Sequence, residues 1–300
     1  MQHHTVIIVG GGQAGLSISY YLKERDIDHV IFEKNAIGHA WRHQRCDSFC
    51  LVTPNWQCQL PGFPYPGDDP DGFMVRDEIV KYIEAYVDHF QPPIREGVTV
   101  QRVCQRSRTQ FLVETSLGDF TANQVVIATG GSHRPKIPAF AARFSSEIAQ
   151  IHSSEYKHPA ALPPGDVLIV GTGQSGCQIA EDLHLAGRRV HLCVGGAPRS
   201  PRRYRGKDVV DWLAAMGYYD IPIAQHPNQE EVRHKTNHYL TGRDGGREID
   251  LRQFALEGMQ LYGRLTNIQG TNLQFDGTLK RNLDQADAVA NSIRQTIDQY

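Results

Sequence analysis

Two short glycine-rich stretches hold the residues whose spacing is best suited to chemistry. The stretches VGGGQAG at 9–15 and VGTGQSG at 170–176 share the pattern GxGxxG, and each ends an apolar, β-branched run. In such a turn the first glycine permits the bend, the second admits a pyrophosphate, and the third allows close helix–strand packing. The N-terminus of the following helix would face the phosphates. The repeated turn therefore predicts two dinucleotide sites in one chain.

The residue that would read the ribose differs between the two copies. Glu33 stands 18 residues after Gly15, at the expected end of the next strand. A carboxylate in that place accepts hydrogen bonds from the ribose hydroxyls and would repel a 2′-phosphate. The same count from Gly176 reaches Val194, which two glycines follow. The first site is therefore predicted to hold FAD.

The region after the second turn is basic. Seven Arg or Lys residues and no Asp or Glu lie between 188 and 207. Because guanidinium groups bind phosphate through charge-assisted hydrogen bonds, Arg199, Arg202 and Arg203 favour a 2′-phosphate. The second site is therefore predicted to hold NADPH, and the chain to pass a hydride from NADPH to FAD. A solvated basic loop without a ligand is the alternative.

The pattern around the turns predicts the elements that would position them. Each turn lies in a strand–turn–helix–strand unit whose strands have the apolar character of a parallel sheet. Alternating runs between 98 and 128 predict an antiparallel meander, and 251–275 is interpreted as short strands. A proline-rich break at 158–166 marks a boundary. The predicted fold is therefore α/β, with two Rossmann-like dinucleotide-binding domains and a small antiparallel β meander in the first: an FAD-binding domain at 1–162 and an NADPH-binding domain at 163–300.

Composition excludes several function classes. The chain has 300 residues, 40% of them hydrophobic, and a formal net charge of -2, which gives no general attraction to nucleic acid or membranes. No apolar run approaches the roughly 20 residues that cross a bilayer. The six cysteines lack CxxC spacing, and no metal site is predicted. We therefore expect a cytoplasmic protein that acts on a small molecule, without a nucleic-acid or membrane partner. A second copy of the chain, forming a homodimer, is the further partner that we consider.

Further motifs join the two turns. Gly38-His-Ala-Trp41 follows the acidic residue, Ala-Thr-Gly stands at 128–130, and His-Ser-Ser-Glu-Tyr at 152–156. Together with the two turns they resemble the class B flavoprotein monooxygenases, which include flavin-containing monooxygenases and Baeyer–Villiger enzymes. The resemblance runs through essentially all of the chain. It departs from the family fingerprint at 146–148, where Ser-Glu-Ile replaces Phe-x-Gly.

The resemblance implies a chemistry. NADPH would reduce FAD, O₂ would add to give a C4a-peroxyflavin, and one oxygen would pass to a nitrogen, sulfur or carbonyl carbon of a small organic substrate. The segment at 51–66 resembles the family's segment beneath the flavin, so Asn55 and Gln57 are expected near the ring. No catalytic acid or base is named. The family's return to the FAD domain is missing, so the chain looks like the first part of a longer enzyme.

The predicted cofactor contacts form two groups, one for each turn. The FAD contacts lie in the first turn, the next strand end, the Gly-x-x-Trp segment and the Ala-Thr-Gly turn: Gly10, Gly12, Gln13, Ala14, Gly15, Glu33, Lys34, Trp41, Arg42, Ala128, Thr129 and Gly130. The NADPH contacts lie in the second turn and the basic region: Gly171, Gly173, Gln174, Ser175, Gly176, Arg199, Arg202 and Arg203.

Two other functions fit parts of the sequence. Cys46 and Cys50 follow the first unit, where pyridine-nucleotide disulfide reductases carry a redox pair, although their C-x3-C spacing differs from the C-x4-C of those enzymes. A flavin- or NADP-binding protein that never turns over is the second alternative. New thiols on reduction would favour the disulfide reductase, and a flavin that NADPH cannot bleach would favour the non-catalytic protein.

Overall fold

The computed structural model divides the chain into two compact units. The first contains Met1–Arg45 and Asn55–Pro135, and the second contains Cys46–Pro54 and Lys136–Tyr300. The assignment of one cofactor to each predicted domain stays a prediction. The structure describes residues 1–131, 134–226, 229–230 and 237–300.

A six-stranded sheet forms the centre of the first unit. Its strands are β1 (Gln2–Val9), β2 (His29–Phe32), β3 (Ile94–Arg95), β4 (Val100–Ser107), β5 (Gln110–Thr115) and β6 (Gly118–Ile127). The order is β3-β2-β1-β6-β5-β4, with β1 parallel to both β2 and β6. Strand β5 is antiparallel to β4 and β6, which is the predicted meander. The ends of β1 and β6 therefore meet at one edge of the sheet.

From Val6 to Val9, strand β1 is buried on both faces, as its continuous apolar run predicts. Ile7 and Ile8 are both fully buried although their side chains point to opposite sides of the sheet. On one side, Ile7, Phe32 and Phe120 belong to the core that joins the parallel strands to the meander. The helices of this unit are α1 (Gln13–Lys23), α2 (His39–His43) and α3 (Arg76–Phe90).

The second unit repeats the parallel arrangement on a smaller scale. Its strands are β7 (Val167–Val170), β8 (Val190–Cys193), β9 (Arg203–Tyr204), β10 (Lys207–Asp208), β11 (Gln260–Tyr262), β12 (Leu265–Gln269) and β13 (Asn272–Phe275). Its helices are α4 (Gln174–Leu185), α5 (Val209–Ala215), α6 (Leu251–Leu256) and α7 (Leu279–Gln299). Three parallel strands form its main sheet, in the order β11-β8-β7. Within the described residues, no helix has the length and apolar character needed to span a membrane.

The prediction of short strands for 251–275 is wrong in its first part. Leu251–Leu256 forms helix α6, and strands begin only at Gln260. The Asp250 carboxylate accepts hydrogen bonds from the backbone N–H groups of Arg252 and Gln253, at 2.9 and 3.3 Å. This N-cap satisfies donors that a helix start leaves free and favours a helix over a strand here.

Candidate dinucleotide-binding sites

The first glycine turn is tightly built between β1 and α1. Gly10 has φ +108°, and a Cβ there would lie 2.5 Å from the carbonyl oxygen of Ala128. A Cβ on Gly15 would lie 2.0 Å from the carbonyl oxygen of Gly10. The backbone N–H of Ala128 also donates to Val9 O at 2.8 Å. The Ala-Thr-Gly turn and the first glycine turn are therefore in direct contact, and no larger residue fits at either glycine.

The middle glycine of the pattern needs a different explanation. Gly12 has φ -80° and ψ -172°, which any residue can adopt. Within the described part of the chain nothing lies within 4 Å of the position a Cβ would take, and no side chain caps helix α1. The protein's own packing therefore gives no reason for glycine here. A pyrophosphate placed against the helix N-terminus gives one, because a glycine lets the backbone approach the phosphate closely.

Glu33 lies where the ribose would be read. Its carboxylate accepts hydrogen bonds from the backbone N–H groups of Gly11 at 2.7 Å and Asn35 at 2.8 Å. These bonds fix the carboxylate against the turn. Because a carboxylate offers about four acceptor positions, both oxygens keep capacity for ribose hydroxyls. The geometry suits an adenosine ribose without a 2′-phosphate.

The other predicted FAD contacts differ in how available they are. Gln13, Ala14, Lys34, Thr129 and Gly130 are exposed, and Trp41 is half-buried under the guanidinium of Arg45, which lies 4.9 Å from the indole ring centre. The Arg42 guanidinium pairs with Glu84. The predicted contacts Gly10, Gly12, Gly15, Glu33 and Ala128 come together at the edge where β1, β2 and β6 end.

The two residues expected near the flavin ring are placed differently. Asn55 is buried, with both polar atoms of its side chain bonded to backbone: Nδ2 donates to Asp69 O at 2.9 Å, and Oδ1 accepts from Met74 N at 2.8 Å. Asn55 therefore holds its own loop together. Gln57 is half-buried at the end of the same short 3₁₀ turn, Asn55–Gln57.

The second glycine turn repeats the geometry of the first. Gly171 has φ +108°, and a Cβ on Gly176 would lie 2.1 Å from Gly171 O. Gly173 precedes helix α4 with φ -66° and ψ 173°, and no described atom lies within 4 Å of its missing Cβ. Ser175 is exposed beside it. The second turn therefore offers the same open position for a pyrophosphate.

Gln174 fixes a distant segment to the second turn. Its side-chain oxygen accepts from the backbone N–H of Leu240 at 3.0 Å, and its amide donates to the carbonyl of the same residue. The segment around Leu240 therefore lies beside the start of helix α4. This contact spans 66 residues of sequence and has no signal in the glycine pattern.

The predicted 2′-phosphate arginines are not equivalent. Arg199 pairs with Asp250 at 2.7 Å and Asp287 at 2.9 Å. Arg202 is 1% exposed and pairs with Asp208 at 2.7 Å. The charges of these two arginines are therefore already balanced by carboxylates.

Arg203 is exposed on β9 and donates to Gly245 O at 2.9 Å. Of the three predicted arginines, it alone pairs with no carboxylate among the described residues. Arg264, which sequence reasoning missed, lies with Nη2 3.1 Å from the position of a Cβ on Gly196, just beyond β8.

Cys46 and Cys50 line one small pocket of the second unit together with Glu181 and Arg243. Burial raises the pKa of the Cys50 thiol to about 11, and burial also raises the pKa of Cys46. Both thiols are thus poor sources of the thiolate that attacks a disulfide. Among the described residues, no group of three or more His, Cys, Asp or Glu side chains could hold a metal ion.

Comparison with known proteins places this geometry in a family. The sequence profile described as pyridine nucleotide-disulphide oxidoreductase matches residues 7–256. An uncharacterized CzcO-like oxidoreductase of Geobacillus kaustophilus is 40% identical over 226 residues, 74% of this chain and 64% of that protein. Indole-3-pyruvate monooxygenase YUCCA4 of rice is 31% identical over 207 residues, 63% of this chain and 46% of that protein. The chain thus spans less than two thirds of the length of these relatives.

Solved structures share the fold. The flavin-containing monooxygenase of Stenotrophomonas maltophilia has a TM-score of 0.61 and 20% identity, over 100% of this chain and 99% of that chain. The bacillithiol disulfide reductase of Staphylococcus aureus has a TM-score of 0.63 and 18% identity, over 91% and 71%. The predicted fold class and the predicted resemblance to flavoprotein monooxygenases are confirmed.

Proposed function

Because the chain belongs to the pyridine nucleotide-disulphide oxidoreductase family, we propose that it is an FAD- and NADPH-dependent oxidoreductase that works as a monooxygenase. FAD binds at the first glycine turn and NADPH at the second. The substrate is a small organic molecule with an oxidisable nitrogen, sulfur or carbonyl carbon, and O₂ is the co-substrate. The similarity to flavin monooxygenases among relatives and solved structures supports this choice.

One observation carries the proposal. Gly12 and Gly173 stand in ordinary backbone conformations with open space at the missing Cβ, whereas the flanking glycines are required by the protein itself. The same open glycine occurs twice, each time at the N-cap of a helix, where glycine is favoured over alanine but is not required by packing. Two ligands that bring phosphate against these helices account for both.

Different residues of the chain would then bind the pyrophosphates and orient the ribose. The first turns of α1 and α4 bind the two pyrophosphates through backbone N–H groups, and Glu33 orients the ribose of FAD by accepting from its hydroxyls. The Ala-Thr-Gly turn packs against Gly10 and would form one wall of the first site. Bound flavin supplies the hydride acceptor and the reaction with O₂.

The disulfide-reductase alternative has weaker support from the site. Its redox pair would be Cys46 and Cys50, whose burial raises both thiol pKa values. Thiol titration of the oxidised protein with and without NADPH separates the two functions. We expect no additional thiols after NADPH, and two additional thiols would favour the disulfide reductase.

An anaerobic absorption spectrum of the purified chain, supplied with FAD, tests the proposed function. We expect a flavin band that NADPH bleaches and that returns in air with consumption of O₂. A flavin band that NADPH leaves unchanged would favour the non-catalytic alternative. The absence of any bound flavin would contradict the first site as proposed.

A further inference from the structure

The backbone just beyond β8 is fixed by three other elements of the second unit. The N–H of Val194 donates to Tyr262 O at 2.9 Å, and Val194 O accepts from the Asn282 side chain at 2.9 Å. The N–H of Gly195 donates to the Thr172 hydroxyl at 2.9 Å. In a dinucleotide-binding unit this strand end lies beside the adenosine ribose. Here it offers a rigid surface without an acidic side chain.

Arg264 brings a positive charge to this surface. It follows β11, the parallel neighbour of β8, so both strand ends lie at the same edge of the sheet. A Cβ built on Gly196 would lie 3.1 Å from Arg264 Nη2, so the guanidinium covers the face that this glycine leaves free. The side chain of Arg264 is exposed.

No carboxylate among the described residues is hydrogen-bonded to the N–H donors of the Arg264 guanidinium. The hydrogen bonds from Thr278 and, to a smaller extent, the charge of Arg264 lower the pKa of the nearby Asp276 carboxyl. The Asp276 carboxylate is hydrogen-bonded to the backbone N–H of Arg264 at 2.9 Å, to the Thr278 N–H at 3.1 Å and to the Thr278 hydroxyl. The hydrogen bonds of the Asp276 carboxylate therefore come from backbone N–H groups and a hydroxyl group, and not from the guanidinium of Arg264. Arg199 and Arg202, by contrast, are engaged with carboxylates.

We propose that Arg264 is the residue that selects NADPH over NADH, by binding the 2′-phosphate beside the backbone of half-buried Gly195 and exposed Gly196. The inference rests on the proposed function, in which the second turn binds the nucleotide. A planar guanidinium presents paired N–H donors that match a phosphate, and a neutral strand end removes the repulsion an acid would cause.

Equilibrium binding of two adenosine probes, 2′,5′-ADP and 5′-ADP, tests Arg264 without turnover. The wild-type chain should bind 2′,5′-ADP more tightly. Arg264→Ala should weaken 2′,5′-ADP binding roughly ten- to hundredfold, as expected for a lost hydrogen bond to a charged group, and change 5′-ADP binding less than about twofold. Arg189→Ala is the matched control, because that exposed arginine stands just before β8, at its opposite end, and should change neither affinity.

Gly196→Ala provides a second perturbation that keeps every charge. The new methyl group would lie 3.1 Å from Nη2 and displace the guanidinium, so 2′,5′-ADP binding should fall several-fold while 5′-ADP binding is kept. Thermal unfolding of each variant shows whether the fold is intact.

Three outcomes would overturn the inference. Unchanged 2′,5′-ADP binding in Arg264→Ala, or equal losses for both probes, would remove the 2′-phosphate role from this residue. A selective loss in Arg203→Ala with none in Arg264→Ala would move the role to Arg203. A wild-type chain that binds neither probe would contradict the proposed function itself, and this inference with it.

Discussion

The two glycine turns have the same backbone but are tied to the neighbouring strand in opposite ways. In the first, the strand end supplies the side chain: Glu33 accepts from the N–H of Gly11, inside the turn. In the second, the turn supplies it: Thr172, which stands where Gly11 stands in the first copy, accepts from the N–H of Gly195 at the strand end. Each tie is one hydrogen bond of 2.7 or 2.9 Å.

This difference separates two roles: the turn would bind the pyrophosphate, and the end of the neighbouring strand would select the type of ribose. The turn geometry, with a positive φ at the first glycine and an open second glycine, is common to both copies. The charge at the strand end is not, because one copy presents a carboxylate and the other presents backbone beneath Arg264. We infer that the shared part binds pyrophosphate, while the unshared part distinguishes a free ribose from a 2′-phosphate.

The largest expected effects come from the third glycines. Gly15→Ala and Gly176→Ala each place a methyl group about 2 Å from a backbone oxygen that cannot move without breaking the turn. We expect each to lower the free energy of unfolding by about 2 kcal/mol or more, as strained overpacking does. Urea denaturation measures it, with Gly12→Ala and Gly173→Ala as matched controls.

These controls should stay within about 0.5 kcal/mol of wild type. Alanine is a poor N-cap, but it also reduces the entropy of the unfolded chain, and the two effects are of similar size and opposite sign. A large loss of stability in the controls would mean that the open positions have a structural role. The comparison between required and open glycines would then fail.

The next effect concerns the acid of the first copy. Glu33→Gln keeps the shape but replaces one acceptor oxygen by an amide group, so ribose hydroxyls lose a charged partner. We expect FAD to bind roughly ten- to hundredfold more weakly, measured by fluorescence titration. Glu114→Gln, on the meander, should change FAD binding less than about twofold. Equal FAD affinity in Glu33→Gln and wild type would remove the predicted role from Glu33.

A smaller effect distinguishes the glutamines that follow the second glycine of each turn. Gln174 bonds both backbone groups of Leu240, whereas Gln13 is exposed. Gln174→Ala should cost about 1–3 kcal/mol of unfolding free energy because it leaves backbone groups unpaired, and Gln13→Ala should change stability by less than about 0.5 kcal/mol. Equal effects of the two substitutions on the urea midpoint would contradict this asymmetry.

Local patterns predict much of the fold. The buried run before each turn, the glycine spacing and the alternation between 98 and 128 yield β1, β7, both turns and the meander. These features depend on neighbours in sequence, so a short window contains their cause. Helix α6 is wrongly interpreted as a strand from its sequence, although Asp250 caps its start and its buried residues, Leu251 and Phe254, stand three apart as a helix requires.

The charged residues of the second site escape prediction for a different reason. Proximity to the strand end in sequence favours Arg199 and Arg202, but carboxylates brought by α6, α7 and β10 engage them. Arg264 lies 68 residues beyond Gly196 and reaches the strand end only through the pairing of β11 with β8. Tertiary pairing decides which cation stays available, and composition alone cannot show it.

The central claim is that two similar turns hold two different nucleotides. The most direct test is a crossed titration of Gly12→Ala and Gly173→Ala with FAD and with NADP⁺. The account predicts that Gly12→Ala weakens FAD binding about tenfold or more with NADP⁺ binding kept, and that Gly173→Ala does the reverse. Two results would contradict it: both variants lose affinity for the same nucleotide, or both variants bind FAD and NADP⁺ as tightly as wild type.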